Sequence, residues 1–281
     1  MIKDFYFKMD GKVFESGMPL DIVIPGLENL QNIFDGSYKA ITGKSRLTKK
    51  EREFFRIVVN NFEQGSFLSN FDIFVQGVQL TLPLISMANV NEIWLFTKNS
   101  YDFLKSIYSA AHAGGSNLIT HNSDGSVSTQ ITTQNNTYNG NVFQIAKAIV
   151  PSLRGLDAIL DGDKIETIEI GQNKIPEITL HSRDKGQFDI PISVQENPEN
   201  LNGEIYDFNK YEKTGRIKIF DSQSIPAKTY RFKVIGSQNV EDYILSMAEK
   251  KIKTKCMVEL SHDPLDTTKI SCLHIINVEA A

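Results

Sequence analysis

The stretch that decides the fold of the C-terminal third runs from residue 203 to residue 234 and reads GEIYDFNKYEKTGRIKIFDSQSIPAKTYRFKV. Residues 203–209 and 216–220 are strand-like, and the polar residues 211–215 join them, which is typical of a β-hairpin. Residues 229–234 alternate apolar and polar side chains and predict a third strand. The stretch therefore predicts three consecutive strands.

A helix and two further strands complete this predicted domain. The helix is indicated by four apolar residues at i, i+3, i+4 and i+7, which are Val240, Tyr243, Ile244 and Met247. Residues 255–260 and 269–277 are again strand-like and surround a polar turn. The order of three strands, one helix and two strands resembles the OB-fold, a five-stranded, partly open Greek-key barrel. We therefore predict a small OB-like β-barrel over residues 201–281.

The residues before the barrel predict an α+β domain built from antiparallel hairpins and about three helices. Residues 54–62 and 67–75 form the strongest hairpin pattern, around Gly65 and Ser66. Apolar residues at helical spacing predict the helices, over residues 27–41, 91–111 and 142–153. The fold class is therefore α+β, with a first domain over 1–198. Residues 160–198 are interpreted either as part of that domain or as a connecting β segment.

Composition and charge exclude several classes of protein. The 281 residues, of which 41% are hydrophobic and 23% charged, are enough for two domains with buried cores. Two cysteines can supply neither a disulfide-rich scaffold nor a four-thiolate zinc site. A net charge of −4 excludes a general polycationic binder of nucleic acid. No secretory signal and no membrane-spanning segment is recognisable, so we expect a cytoplasmic protein with no membrane partner.

Motifs for catalysis and cofactors are missing from the sequence. Residues 42–45 read TGKS, but a phosphate-binding loop needs glycine where this chain has Tyr38. The five histidines lie singly, without the spacing of a helical zinc site. We therefore predict no cofactor, no metal and no catalytic residue from local motifs. An enzyme with dispersed groups stays open as an alternative, with His121, His181 and His262 as its histidines.

The two cysteines fall on the last two predicted strands. If Leu260 lies opposite Thr268, antiparallel pairing places Cys256 opposite Cys272. Two facing thiols in a reducing compartment are most often buried packing residues.

The barrel carries the one constellation that suggests a ligand. Alternation directs one set of residues inward, namely Ile217, Ile219, Tyr230, Phe232 and Val234. It directs a cationic set outward on the second and third strands, namely Arg216, Lys218, Arg231 and Lys233. These strands are the usual ligand face of an OB-fold, where cations contact phosphates and aromatic rings stack on bases. Tyr206 and Phe208 are the candidate stacking residues.

A second basic cluster follows the predicted helix and consists of Lys250, Lys251, Lys253 and Lys255. Residues 201–281 contain 12 basic and 11 acidic side chains, whereas the rest of the chain contains 18 and 23. The acidity therefore belongs to the N-terminal region, and the predicted barrel has a net charge of +1. The alternative interpretation is that these lysines and arginines form an ordinary solvated sheet face.

The hairpin around Gly65 and Ser66, together with the C-terminal strand pattern, resembles uncharacterised bacterial two-domain proteins that end in an OB-like barrel. Such proteins occur in mobile-element and anti-phage defence neighbourhoods, so the resemblance implies an accessory or sensing role. We expect a non-enzymatic binding or adaptor protein that contacts nucleic acid or a protein partner through its barrel. The expected partners are a protein or a second copy of the chain, and single-stranded nucleic acid. A purely structural homo-oligomer is the alternative.

Overall fold

The computed structural model describes residues 5–63, 67–75, 90–114, 117–121, 126–131, 134–138, 141–220, 224–249 and 251–280. The chain divides into two compact units, Met1–Asp189 and Ile190–Ala281. The sequence predicted that the first domain ends later, at residue 198. The division lies earlier because the short strand Ile192–Val194 pairs with the long barrel strand Ile252–Ser261. In the described part of the chain, no helix combines the length and the apolar character needed to cross a membrane.

The first unit combines helices with antiparallel sheets. Its helices are α1 (Leu20–Thr42), α2 (Lys49–Phe54), α3 (Val90–His112) and α4 (Val142–Ile159). Its strands are β1 (Phe5–Asp10), β2 (Phe55–Glu63), β3 (Phe67–Val75), β4 (Asn117–His121), β5 (Val127–Ile131), β6 (Gln134–Tyr138), β7 (Thr167–Gln172) and β8 (Ile175–His181). One sheet has the order β2-β3-β1-β7-β8, and a smaller one has the order β4-β5-β6. Three long helices and antiparallel hairpins confirm the predicted α+β class.

Aromatic packing holds the first unit together. The rings of Phe5 and Trp94 meet edge to face at 5.5 Å, and Phe34 stacks on Trp94 at 5.8 Å. These three residues come from β1, α1 and α3, so the cluster joins the sheet to two helices. Such aromatic pairs contribute about 0.5–1.5 kcal/mol each beyond the area that they bury. The turn of the predicted first hairpin, residues 64–66, lies outside the described residues, but its strands β2 and β3 pair as predicted.

The second unit contains a closed five-stranded barrel. Its elements are β9 (Ile192–Val194), β10 (Glu199–Asn209), β11 (Thr214–Ile219), β12 (Thr229–Val234), α5 (Val240–Ser246), β13 (Ile252–Ser261) and β14 (Lys269–Ala280). The barrel order is β10-β11-β12-β14-β13, and pairing of β10 with β13 closes it. Strands β12 and β14 are parallel, whereas the other barrel pairs are antiparallel. The predicted OB-like barrel is confirmed, with α5 between its third and fourth strands.

Alternation along the strands fills the barrel with apolar side chains. Ile217 and Ile219 of β11 are buried, as are Tyr230 and Phe232 of β12. Tyr243 of α5 adds a buried aromatic ring to the same core. The prediction of which residues of β11 and β12 point inward is therefore confirmed.

The last two strands do not pair in the register that would bring the two cysteines together. Cys256 lies opposite Ile275, and Cys272 lies opposite Glu259. Leu260 already lies opposite Ile270, two residues away from Thr268, and a register shift next to Glu259 adds one more residue of offset. The condition under which Cys256 would face Cys272, with Leu260 opposite Thr268, is therefore not met. Cys256 belongs to the buried core, where burial raises the pKa of its thiol to about 12.

Candidate functional site

A groove of about 490 Å³ opens on the outer face of β11 and β12, next to the β10–β11 turn. Three of the four predicted cations line it, namely Arg216, Arg231 and Lys233. Asp207 and Glu212 are its acidic lining residues. We call this feature the cationic groove.

Two arginines lie directly opposite each other in the cationic groove. Arg216 of β11 is the cross-strand partner of Arg231 of β12, and both are exposed. Like charges in this arrangement destabilise a sheet, so pairing energy does not explain them. Arg216 Nε lies 3.9 Å from Asp207 Oδ2. Within the described part of the chain, Arg231 makes no ion pair and no side-chain hydrogen bond.

The other predicted cations lie elsewhere on the barrel. Lys218 is exposed on β11 but does not line the cationic groove. Lys253 and Lys255 line a separate depression of about 340 Å³. Lys251 is exposed just before β13, and Lys250 lies outside the described residues. Among the described side chains, the two predicted basic clusters therefore contribute to two different depressions.

The two predicted stacking residues face opposite ways. Tyr206 is 46% exposed, whereas the ring of Phe208 stacks on Tyr243 at 5.2 Å and on Phe232 at 6.0 Å. The cause is a register shift in β10 between Ile205 and Asp207, which reverses the alternation after Tyr206. The prediction of Phe208 as an exposed stacking residue is therefore wrong. It packs against the barrel core.

Tyr211 is an exposed aromatic residue that the sequence analysis did not select. It is 86% exposed at the β10–β11 turn, between Asn209 and Glu212, which both line the cationic groove. The side-chain oxygen of Asn209 accepts hydrogen bonds from the backbone N–H of Tyr211 (3.0 Å) and of Glu212 (3.2 Å). This Asx turn fixes the loop by local hydrogen bonds. In the sequence, the sign of this exposed tyrosine is an asparagine two residues before it in a hairpin turn.

A polar cluster lies beside the cationic groove and is formed by side chains of β12, β13 and β14. Glu259 Oε1 accepts a hydrogen bond from Ser271 Oγ at 2.6 Å. Its Oε2 lies 2.8 Å from His274 Nε2 and 3.2 Å from Lys233 Nζ. Cys272 lies directly opposite Glu259 and lines the groove. We call these five residues the Glu259 cluster.

The environment of the Glu259 cluster sets its protonation. Burial raises the pKa of the Glu259 carboxyl, but hydrogen bonds from Ser271, His274 and Lys233 outweigh burial and hold this pKa at about 2. Burial and the charge of Glu259 raise the pKa of the Cys272 thiol. A thiol with a raised pKa stays protonated at neutral pH and is a weak nucleophile.

His274 of this cluster is not one of the three histidines that the sequence analysis named for an enzyme with dispersed groups. His262 Nε2 lies 2.7 Å from Ser193 Oγ, and its Nδ1 lies 3.4 Å from Thr268 Oγ1. His121 and His181 belong to β4 and β8 of the first unit. His274 was not selected by sequence, although the spacing Cys272-x-His274 on a strand places both side chains on one face.

Comparison of the chain with protein-family models, with curated proteins and with solved structures finds no match.

Proposed function

We propose that the protein binds single-stranded nucleic acid in the cationic groove of its barrel, without catalysing a reaction. Arg231 supports the proposal most directly, because it is a cation without an ion pair in the described part of the chain, directly opposite Arg216. A phosphate between the two guanidinium groups relieves their repulsion and accepts charge-assisted hydrogen bonds from both. Lys233 lines the same groove and extends the cationic lining.

Exposed tyrosines supply the second part of the proposed binding mode. Tyr206 follows the buried Ile205 on β10, and Tyr211 lies at the turn above the groove. Bases of a single strand stack on such rings with little sequence preference, because every base has a π-face. The groove cations and the tyrosines match the two kinds of contact in single-strand binding, because cations contact the backbone and aromatic rings stack on the bases.

Arg231→Ala and Tyr211→Ala separate these two contributions. We expect Arg231→Ala to weaken binding of a labelled oligothymidylate about tenfold, because loss of a charge-assisted hydrogen bond costs about 1.5 kcal/mol. It also reduces the slope of log K against log[salt] by about 0.7, the value for one phosphate contact on a single strand. Tyr211→Ala weakens binding by about 1–3 kcal/mol and leaves the slope unchanged. Fluorescence anisotropy across a salt series measures both quantities.

The matched control removes one exposed cation from the first unit. Lys105→Ala, on α3, changes the net charge as Arg231→Ala does and is expected to keep wild-type affinity and slope. Equal losses in the two variants would mean that net charge alone governs binding. Absence of binding by the wild-type protein at low salt would refute the proposed function.

Self-association is a second candidate function, because α5 and the turn after it expose three apolar side chains, Ile244, Leu245 and Met247. Methionine and contiguous apolar side chains are typical of interface cores. If a second copy of the chain binds there, light scattering gives at least a dimer mass for the wild-type protein and a monomer mass for Leu245→Glu. The matched variant Leu20→Glu changes an equally exposed leucine of the first unit and keeps the wild-type mass. A monomeric wild-type protein at micromolar concentration excludes this candidate.

A further inference from the structure

We propose that Glu259, Cys272 and His274 bind a divalent metal ion of the zinc type. Each residue offers one ligand atom, and the three atoms lie within 4.8 Å of one another. Tetrahedral zinc sites bring such atoms to about 2.0–2.3 Å from the metal, so small side-chain rotations are enough to close the site. This inference does not depend on the proposed nucleic-acid binding.

Strand pairing places the three ligands. Glu259 of β13 lies directly opposite Cys272 of β14, and His274 lies two residues further along the same face of β14. The backbone of two paired strands positions side chains more rigidly than a loop does. Glu259 and His274 are each only 8% exposed, whereas Cys272 lines the cationic groove, which gives an ion a path from solvent.

The donor set selects the class of metal. A thiolate, an imidazole and a carboxylate suit Zn²⁺, whereas Mg²⁺ and Ca²⁺ prefer oxygen ligands alone. The hydrogen bond from Ser271 to Glu259 Oε1 orients the carboxylate and leaves Oε2 for the metal. Three protein ligands leave a fourth position for water or for an anionic oxygen in the groove.

Charge balance and proton balance follow from the same geometry. The Cys272 thiol releases one proton to solvent on binding, because the metal coordinates the thiolate. His274 coordinates as a neutral imidazole, so its hydrogen bond to Glu259 Oε2 is broken and its ring proton stays on the nitrogen that does not bind the metal. The thiolate and the Glu259 carboxylate then neutralise the two positive charges of Zn²⁺. Lys233 Nζ, now 3.2 Å from Glu259 Oε2, must leave that oxygen. Its side chain is 44% exposed, so the ammonium group can move into solvent.

Titration of the full chain with Co²⁺ and Zn²⁺ tests the site. We expect one equivalent of Co²⁺ to produce a thiolate-to-cobalt charge-transfer band, which Zn²⁺ abolishes by displacement and Mg²⁺ does not. Cys272→Ser removes the band and weakens Zn²⁺ binding at least about 100-fold, because even changes in outer-shell partners cost about 10–100-fold. Cys256 remains in that variant, so loss of the band assigns it to Cys272.

Lys233→Ala is expected to have the opposite effect on Zn²⁺ affinity from Cys272→Ser. It removes the cation that competes with the metal for Glu259, so we expect Zn²⁺ to bind more tightly. The same substitution is expected to weaken oligothymidylate binding. His112→Asn changes an exposed histidine of α3 and leaves the Co²⁺ spectrum unchanged. A cobalt complex without a charge-transfer band, or a band that survives in Cys272→Ser, would overturn the metal site. Neither result bears on the proposed binding of nucleic acid, which anisotropy measures without added metal.

Discussion

Phe232→Ala is expected to lower the free energy of unfolding of the barrel by about 3–5 kcal/mol. Phe232 is 1% exposed, and its ring is stacked parallel to Phe208 and nearly parallel to Tyr243. Alanine removes these ring contacts and leaves a cavity in the core, and both effects destabilise the folded state. Urea denaturation measures the total loss, and hydrogen exchange of the peptide Glu199–Asn209 assigns it to the barrel.

The control for Phe232→Ala is another aromatic residue of the same barrel. Tyr211 is 86% exposed, so Tyr211→Ala is expected to change the free energy of unfolding by less than about 0.5 kcal/mol. If Phe232→Ala proves no more destabilising than Tyr211→Ala, the ring stack does not form the core of the barrel. Exchange that rises only in the peptides of the first unit contradicts the same assignment.

The barrel could be predicted from sequence wherever the strands are regular. Arg216, Ile217 and Lys218 alternate on β11 without a bulge, and each side chain faces the side that alternation predicted. The same holds for Tyr230 to Phe232 on β12. A side-chain period of two is a property of the strand itself, so the sequence of one strand is enough to predict it.

The prediction failed where pairing between strands changes that period. Phe208 faces the core because β10 bulges at Tyr206. Next to the β13–β14 turn, Leu260 lies opposite Ile270 instead of Thr268, and a register shift at Glu259 adds to this offset, so Cys256 lies opposite Ile275. A bulge adds a residue to one strand relative to its partner, so it depends on both strands and on the turn between them. One strand read alone cannot reveal it.

The Glu259 cluster was missed for a related reason. Its members lie far apart in the sequence: Lys233 lies 26 positions before Glu259, and His274 lies 15 positions after it. Only the pairing of β12, β13 and β14 makes them neighbours, and no motif search by spacing finds such a group. The spacing Cys272-x-His274 marks a shared face, but it names neither the opposing carboxylate nor the lysine.

Gly215→Ala is expected to destabilise the barrel by about 3 kcal/mol, at the upper end of typical overpacking effects. Gly215 lies between Phe208 of β10 and Phe232 of β12. A Cβ atom there would lie 2.2 Å from the carbonyl oxygen of Asp207 and 2.8 Å from the ring of Phe232. The first is backbone and the second is a buried ring, so neither can move without opening the barrel. Urea denaturation measures the loss.

Gly26→Ala provides the contrast that tests this explanation. A Cβ atom at Gly26 would lie 2.9 Å from the thioether sulfur of Met9, the flexible end of a side chain. Alanine also favours a helix by about 1 kcal/mol over glycine, so we expect this variant of α1 to stay within about 1 kcal/mol of the wild-type stability.

Gly215→Ala should in addition weaken oligothymidylate binding, because Asp207 and Phe232, which it displaces, both line the cationic groove. Equal stability losses in the two variants would contradict the close approach of β10 to Gly215. Unchanged binding by a destabilised Gly215→Ala protein would place the nucleic-acid site away from the groove.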